Sequence, residues 1–330
     1  MRIIMDAMGG DNAPHELVKG AVMATKEFDT DITLVGDKNK LEELLAKEEY
    51  DKARIEIIHT TEIISYNESP TLAIRRKKDS SMVVGMKLVK EGKGDAFISA
   101  GSTGALLAGG LFIIGRIDGI DRPGLAPILP GKKGPFMLLD VGANAECKVQ
   151  NILQFATMGE IYVRKILNRP NPQIALANIG EEEEKGTEFV KECYKLLKEK
   201  KANFKGNIEG REILDGNVDV VVCDGFVGNI ILKTFEGAVA TIFGILKEEI
   251  MSSFRTKIGG ILLKPVFSGF KKKFDYTEYG GAILLGLNCP VIKAHGSSNA
   301  NAFKNAIKQA VLSIDGDIVN IIKEEIKKLE

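Results

Sequence analysis

Met5-Asp6-Ala7-Met8-Gly9-Gly10-Asp11-Asn12-Ala13-Pro14 decides the fold. The apolar run Arg2-Ile3-Ile4-Met5 leading into it has the texture of a short buried strand. Behind it, Leu17, Val18, Ala21, Val22 and Phe28 fall at helical spacing, and Pro14 suits a first helical turn. The stretch therefore joins β to α. Two adjacent glycines let backbone N–H groups come close to a ligand, and the helix start adds partial positive charge. Such a turn suits an anion, and phosphate is its natural guest.

The same grammar recurs outward from this point. Ala96-Phe97-Ile98 runs into Ser99-Ala100-Gly101-Ser102-Thr103-Gly104, with a buried helix expected from Ala105 to Ile114. Phe136-Met137-Leu138-Leu139 runs into Asp140-Val141-Gly142-Ala143-Asn144, and Val218 to Val222 runs into Asp224-Gly225-Phe226-Val227-Gly228-Asn229 ahead of a long helix. Val291-Ile292 leads to His295-Gly296-Ser297-Ser298-Asn299 and the last helix. Ligands of open α/β sheets bind outside the carboxyl ends of the strands, so this reading gathers all five loops into one cleft.

Strands are also expected at Asp31 to Gly36, Arg54 to Ile58 and Gln173 to Ile179, and helices at Leu41 to Lys47 and from Ser81 to about Glu91. Leu125 to Leu129 and Pro135 to Leu139, separated by Pro130-Gly131-Lys132-Lys133-Gly134, read as a hairpin, which makes the sheet mixed. The fold class is therefore α/β: three α/β/α layers around a mostly parallel mixed sheet. Residues 1–330 are read as one domain, with a helical segment projecting at about 228–273 and interrupted at Gly259-Gly260 and Pro265.

Lys+Arg 45 against Asp+Glu 45 leaves no net charge to recruit nucleic acid. Cys147, Cys193, Cys223 and Cys289 are widely spaced, without a CxxC pair or a neighbouring histidine, and read as thiols in a reducing cytoplasm rather than as metal ligands. A secretory signal is not expected, nor is an apolar run near the ~20 residues that span a bilayer. No GxSxG, Walker A, HExxH or GxGxxG pattern occurs, which weakens serine hydrolase, nucleotide triphosphatase and dinucleotide readings.

Individual residues admit two readings each. Lys185 follows four glutamates, Glu181 to Glu184, which suit a solvated helix start at Thr187; it also follows a strand end, where a cation could neutralise phosphate or an oxyanion. Asn229 is a helix-start residue or a donor to a carbonyl oxygen. His295 is structural or a substrate contact, whereas His15 and His59 read as structural. Arg75-Arg76-Lys77-Lys78 is a solvated turn or an anchor for an acidic partner. Ile261, Leu262, Leu263, Val266 and Phe267, set between Arg255, Lys257 and Lys271-Lys272-Lys273, suit an anionic lipid surface or a dimer contact.

Taken in order, Asp6 to Asp11, Ser99 to Ala105, Arg122-Pro123, Asp140 to Asn144, Asn178-Ile179-Gly180 through Lys185-Gly186, Asp224 to Asn229, Tyr279 to Ala282 and Ala294 to Ser298 resemble the bacterial phosphate acyltransferases, the PlsX family. The resemblance covers essentially the whole chain. It implies an isocitrate-dehydrogenase and phosphotransacetylase type of fold, and transfer of a long-chain acyl group from acyl carrier protein to inorganic phosphate. The acyl phosphate would serve phospholipid synthesis through a downstream acyl-phosphate glycerol-3-phosphate acyltransferase. A homodimer at the cytoplasmic face of the membrane is implied, with no metal or other cofactor. The family's cleft Lys and Asn fall on Lys185 and Asn229. Asp6, Gly9, Gly10, Ser102, Thr103, Gly104, Asn144, Asp224, Gly225, His295, Ser297 and Ser298 are the expected phosphate or substrate contacts. Asn12, Ser102 and Val149 depart from the family pattern, where His, Asn and Pro are common. Two other classes remain at this point: a decarboxylating dehydrogenase sharing the fold, and a membrane scaffold that binds the carrier without turnover.

Overall fold

Side chains of alternate parity on one strand enter different cores. Ile3 and Met5 belong to one buried cluster and Ile4 to another; Met137 and Leu139 oppose Phe136 and Leu138 in the same way. Strands that bury both faces must lie between two helical layers.

The computed structural model describes residues 1–274 and 279–329, with the backbone alone at 271–273. Its strands are β1 (Arg2–Asp6), β2 (Asp31–Gly36), β3 (Ile55–His59), β4 (Ala96–Ser99), β5 (Gly124–Leu129), β6 (Phe136–Leu139), β7 (Ile174–Asn178), β8 (Phe204–Glu209), β9 (Val220–Val222), β10 (Ala282–Leu285) and β11 (Val291–Lys293). They form one sheet in the order β3-β2-β1-β4-β11-β10-β5-β6-β9-β7-β8. One core cluster takes side chains from α1 (His15–Glu27), α2 (Lys38–Leu45), α6 (Val149–Ile166), α7 (Glu188–Lys200), α11 (Ala300–Asp315) and α12 (Ile318–Lys327). The other takes them from α3 (Pro70–Arg76), α4 (Ser81–Lys90) and α5 (Thr103–Gly109), the last continuing as a π-helical turn to Ile114.

The direction of the strands changes across the middle of the sheet. β3, β2, β1, β4 and β11 run parallel; β10 opposes β11 and β5, and β5 opposes β6. β6, β9, β7 and β8 are again parallel to one another. The two halves therefore point opposite ways, and the carboxyl-end loops do not share one edge. Loops after β1, β4 and β11 lie at one end of the strands, and those after β6, β7 and β9 at the other. The expected hairpin is present, with Ile128 opposite Met137. β10 completes the reversal, and it is an element absent from the sequence reading.

The helical segment also differs in detail. α8 (Gly225–Met251) is continuous for 27 residues, α9 (Phe254–Leu262) follows a break at Ser252-Ser253, and α10 is Lys264–Phe274. The first break is a serine cap: Ser253 Oγ accepts from Thr256 N at 3.2 Å. Gly259 and Gly260 lie inside α9 and do not interrupt it; a Cβ on Gly260 would stand 2.4 Å from Ile250 Cγ2, so the glycine lets α9 approach α8. α8 is long and apolar enough to cross a membrane by length and composition, with mean hydropathy 1.4, contrary to the expectation of no such run. Its charged residues are Lys233 and Glu236 in the first half and Lys247, Glu248 and Glu249 in the last turns, with an uncharged run from Gly237 to Leu246 between them. The Lys271-Lys272-Lys273 side chains lie outside the described residues.

Candidate active site

Residues from the first turns of α8 and from β5 line a cleft of about 260 Å³ that brings the two loop sets together. Along β5 the two sets are offset by about two residues: Lys293 is level with Pro127 through Ala282, and Val141 N–H donates to Leu125 O. Leu125, Ile128 and Leu129 of β5 form part of the wall. Gly142 and Asn229 come from one end of the strands, Thr103 and His295 from the other. Lys233, Glu236 and Lys293 complete the polar lining.

Each loop is held from behind. Asp6 is buried, and its carboxylate accepts from Ser81 Oγ at 2.6 Å and Ser99 Oγ at 2.7 Å; burial pushes its pKa up. Gly9 sits against that carboxylate, where a Cβ would meet Oδ2 at 2.5 Å, and Gly10 has φ +114°, a conformation suited to glycine. Asp140 repeats the device in the other half. Its carboxylate accepts from the backbone N–H groups of Leu125, Ala143 and Asn144, at 2.9, 3.1 and 2.7 Å. Burial raises this pKa as well, against those hydrogen bonds. Asn144 donates from Nδ2 to Pro123 O, and Gly225 packs on Asn144 O, so both residues shape the floor under α8. Asp224 caps α8, accepting from Val227 N at 2.8 Å.

Sequence-predicted residues thus divide by place. Thr103, Asn229 and His295 line the cleft. Ser102 caps α5, and Gly104 packs against Pro70. Ser298 is buried, with its N–H donating to His295 O at 3.1 Å. Lys185 is exposed on the loop after β7, at the Asn229 end of the strands, and is not part of the cleft wall. Among the cluster at 75–78, Lys77 pairs with Glu68 at 2.7 Å and Arg75 lies over the Phe112 ring.

His295 Nδ1 meets Ser297 twice, lying 2.8 Å from Oγ and accepting from the Ser297 N–H at 3.2 Å, an arrangement that suits a neutral ring protonated on Nε2. Burial, reinforced by Lys293 and Lys233, lowers its pKa and favours that neutral form. The cysteines are poor nucleophiles by comparison: burial pushes Cys147 up to about 11 and Cys193 up to about 12. Among the described residues, no group of three or more His, Cys, Asp or Glu side chains is arranged to hold a metal ion.

Sequence reasoning missed Lys233, Glu236 and Lys293. The first two carried a signal: Asn229, Leu232, Lys233 and Glu236 recur at helical spacing and form one face of α8. Glu236 also borders a second, apolar groove of about 980 Å³ between α8, α9 and α10, lined by Phe235, Val239, Phe243, Ile250, Ile261 and Phe267 among others. The cleft and the groove therefore share a wall.

Residues 1–320 match the family described as "Fatty acid synthesis protein". The chain is 59% identical over 331 aligned residues to the phosphate acyltransferase of Clostridium tetani, covering 100% of this chain and 99% of that protein. It is 56% identical to the phosphate acyltransferase of Alkaliphilus oremlandii, covering 100% and 98%. The chain belongs to the phosphate acyltransferase family. It is an acyltransferase of that family, whose description places it in fatty acid synthesis. A phosphotransacetylase from Streptococcus pyogenes shares the fold, with a TM-score of 0.64 at 19% identity over 96% of this chain and 94% of that one.

Proposed function

We propose that this acyltransferase moves a long-chain fatty acyl group reversibly from an acyl carrier protein thioester to inorganic phosphate. One observation supports the long-chain donor: the small cleft that holds Thr103, Asn229, Lys293 and His295 shares Glu236 with an apolar groove large enough for an extended hydrocarbon. A short-chain substrate would leave most of that groove unused.

Phosphate is already an anion at neutral pH, so it requires orientation and charge compensation more than deprotonation. The loops at Gly9-Gly10, Ser102-Thr103 and Ser297-Ser298 hold it at one end of the cleft. Asn229 and Lys185 polarise the thioester carbonyl from the other, with the β7 loop bringing Lys185 over the bound donor. A phosphate oxygen bonds to the carbonyl carbon, and the carbonyl electron pair moves to oxygen as a tetrahedral oxyanion. The oxyanion collapses, the carbon–sulfur bond breaks, and the carrier leaves as a thiolate that takes a proton from water. Acyl phosphate remains for a downstream enzyme that acylates glycerol 3-phosphate.

Lys247, Lys257 and Lys264 border the groove and suit an acidic carrier or anionic lipid. Ile261, Leu262 and Val266 are 71%, 75% and 62% exposed, which favours peripheral attachment at the inner membrane face and a homodimer burying part of the same surface. The test is release of free thiol from purified palmitoyl-carrier protein with and without phosphate, trapping acyl phosphate with hydroxylamine. Phosphate-dependent release of a trappable product is expected; carrier binding without release would overturn the reading.

A further inference from the structure

We propose that Lys293 is the cation that receives inorganic phosphate in the cleft, an assignment that rests on the acyl-transfer reading above. Lys293 closes β11 opposite Ser99, at the end of the sheet where Thr103 and His295 enter the cleft. Its Nζ donates to Ala100 O at 3.3 Å and to Ala294 O, so it ties the loop after β4 to the loop after β11. An ammonium has three donors, and the two carbonyls account for two of them.

Carboxylates such as Asp11 and Asp6 act on Lys293 from beyond ion-pair distance. Among the described residues, no carboxylate stands within 4.0 Å of Lys293. Asp6 spends its oxygens on Ser81 and Ser99, and Glu236 pairs with Lys233 at 2.6 Å. A partly buried cation without a carboxylate partner, lining a cavity, is stabilised by an anion that enters that cavity. Phosphate at Lys293 would lie at the opposite end of the cleft from Asn229, which suits a nucleophile facing a carbonyl.

The charged groups facing Lys293 are Lys233 from α8, Asp11 and Asp6 from β1 and its loop, and His295 beside it. Burial, then Lys233, brings the Lys293 pKa down to about 8. Phosphate affinity should therefore fall as pH rises through about 8 and the ammonium loses its proton. Asp11 and Asp6 oppose the shift, so removing Lys233 with K233M should move the fall to higher pH.

Wild type, K293M, K293R and K233M test this in the full chain by two readouts: steady-state kinetics with phosphate and acyl donor varied separately, and thermal protection by inorganic phosphate without donor. K293M should raise KM for phosphate about tenfold to a hundredfold, the scale of one lost charged hydrogen bond, with KM for the donor within about twofold. It should also lose the protection. K293R, which stays charged, should keep the protection and move the basic limb of kcat/KM for phosphate upward. Unchanged phosphate KM and protection in K293M would overturn the assignment, as would equal loss of both KM values with an unshifted limb in K293R. Wild-type protection without phosphate-dependent thiol release would sink the acyl-transfer reading and leave the K293M comparison to decide phosphate binding. If K293M fails to fold, the K293R limb and protection decide.

Discussion

Gly228 of α8 lies so close to Asp140 that a Cβ at position 228 would stand 1.8 Å from the Asp140 carbonyl oxygen. The helix carrying Asn229 is thereby seated on the loop after β6 with no room for a side chain. G228A should lift the root of α8, lower stability by about 1–3 kcal/mol and cut turnover more than stability alone explains. Thermal unfolding and kcat measured side by side check this; a variant with normal values for both would show that α8 has another footing.

Asn229 lines the cleft on the face shared with Lys233 and Glu236. N229A should lower kcat by about a hundredfold to a thousandfold while leaving the melting temperature within a few degrees. K185A should lower kcat as well, by the same chemistry. Near-normal turnover at saturating phosphate would remove either residue from the role given to it.

The two buried aspartates should respond differently to amidation. Ser81 and Ser99 present hydroxyls to Asp6, and a hydroxyl can rotate to accept from an amide, while Met8 N adds a long backbone bond of 3.4 Å to Oδ1. Asp140 faces the fixed N–H groups of Leu125, Ala143 and Asn144, which cannot. D140N should cost about 1–3 kcal/mol and D6N clearly less. Denaturant midpoints of the two variants, with unchanged slopes, provide the comparison.

Val239 borders the apolar groove beyond Glu236. V239W should fill the entrance and reduce kcat/KM for a palmitoyl donor by at least about tenfold, with a butyryl donor little affected. A uniform loss across chain lengths would place the hydrocarbon elsewhere.

Much of this was legible in the residues. The turn at 5–14, the loops ending β4, β6, β9 and β11 and the hairpin at 125–139 follow from short apolar runs broken by Gly, Ser and Asp, because burial on both sheet faces demands such runs. The reversal of the second half was hidden, since Ala282–Leu285 is an apolar run of four and carries no mark of its direction. The loops are therefore expected in one cleft outside strands that all point the same way, whereas they come from opposite strand ends and meet in a cleft walled by β5. Lys293 was overlooked because a lysine ending a strand looks like a solvated edge; only three-dimensional packing closes Ala100 and Ala294 around it. Ser102, Asn144 and Asp224 are shown to carry capping or backbone bonds, which spacing alone does not separate from ligand contacts.

α8 has just two buried residues, Gly225 and Gly228, in its 27. Mutational tolerance along it should therefore change abruptly. Its first turn is a root where even a methyl group is excluded, whereas the stem beyond Val239 can exchange one exposed apolar side chain for another without disturbing the sheet. Within such a lineage the catalytic floor can stay fixed while the stem drifts, so the substrate's tail and the surface it meets can be retuned independently of the chemistry.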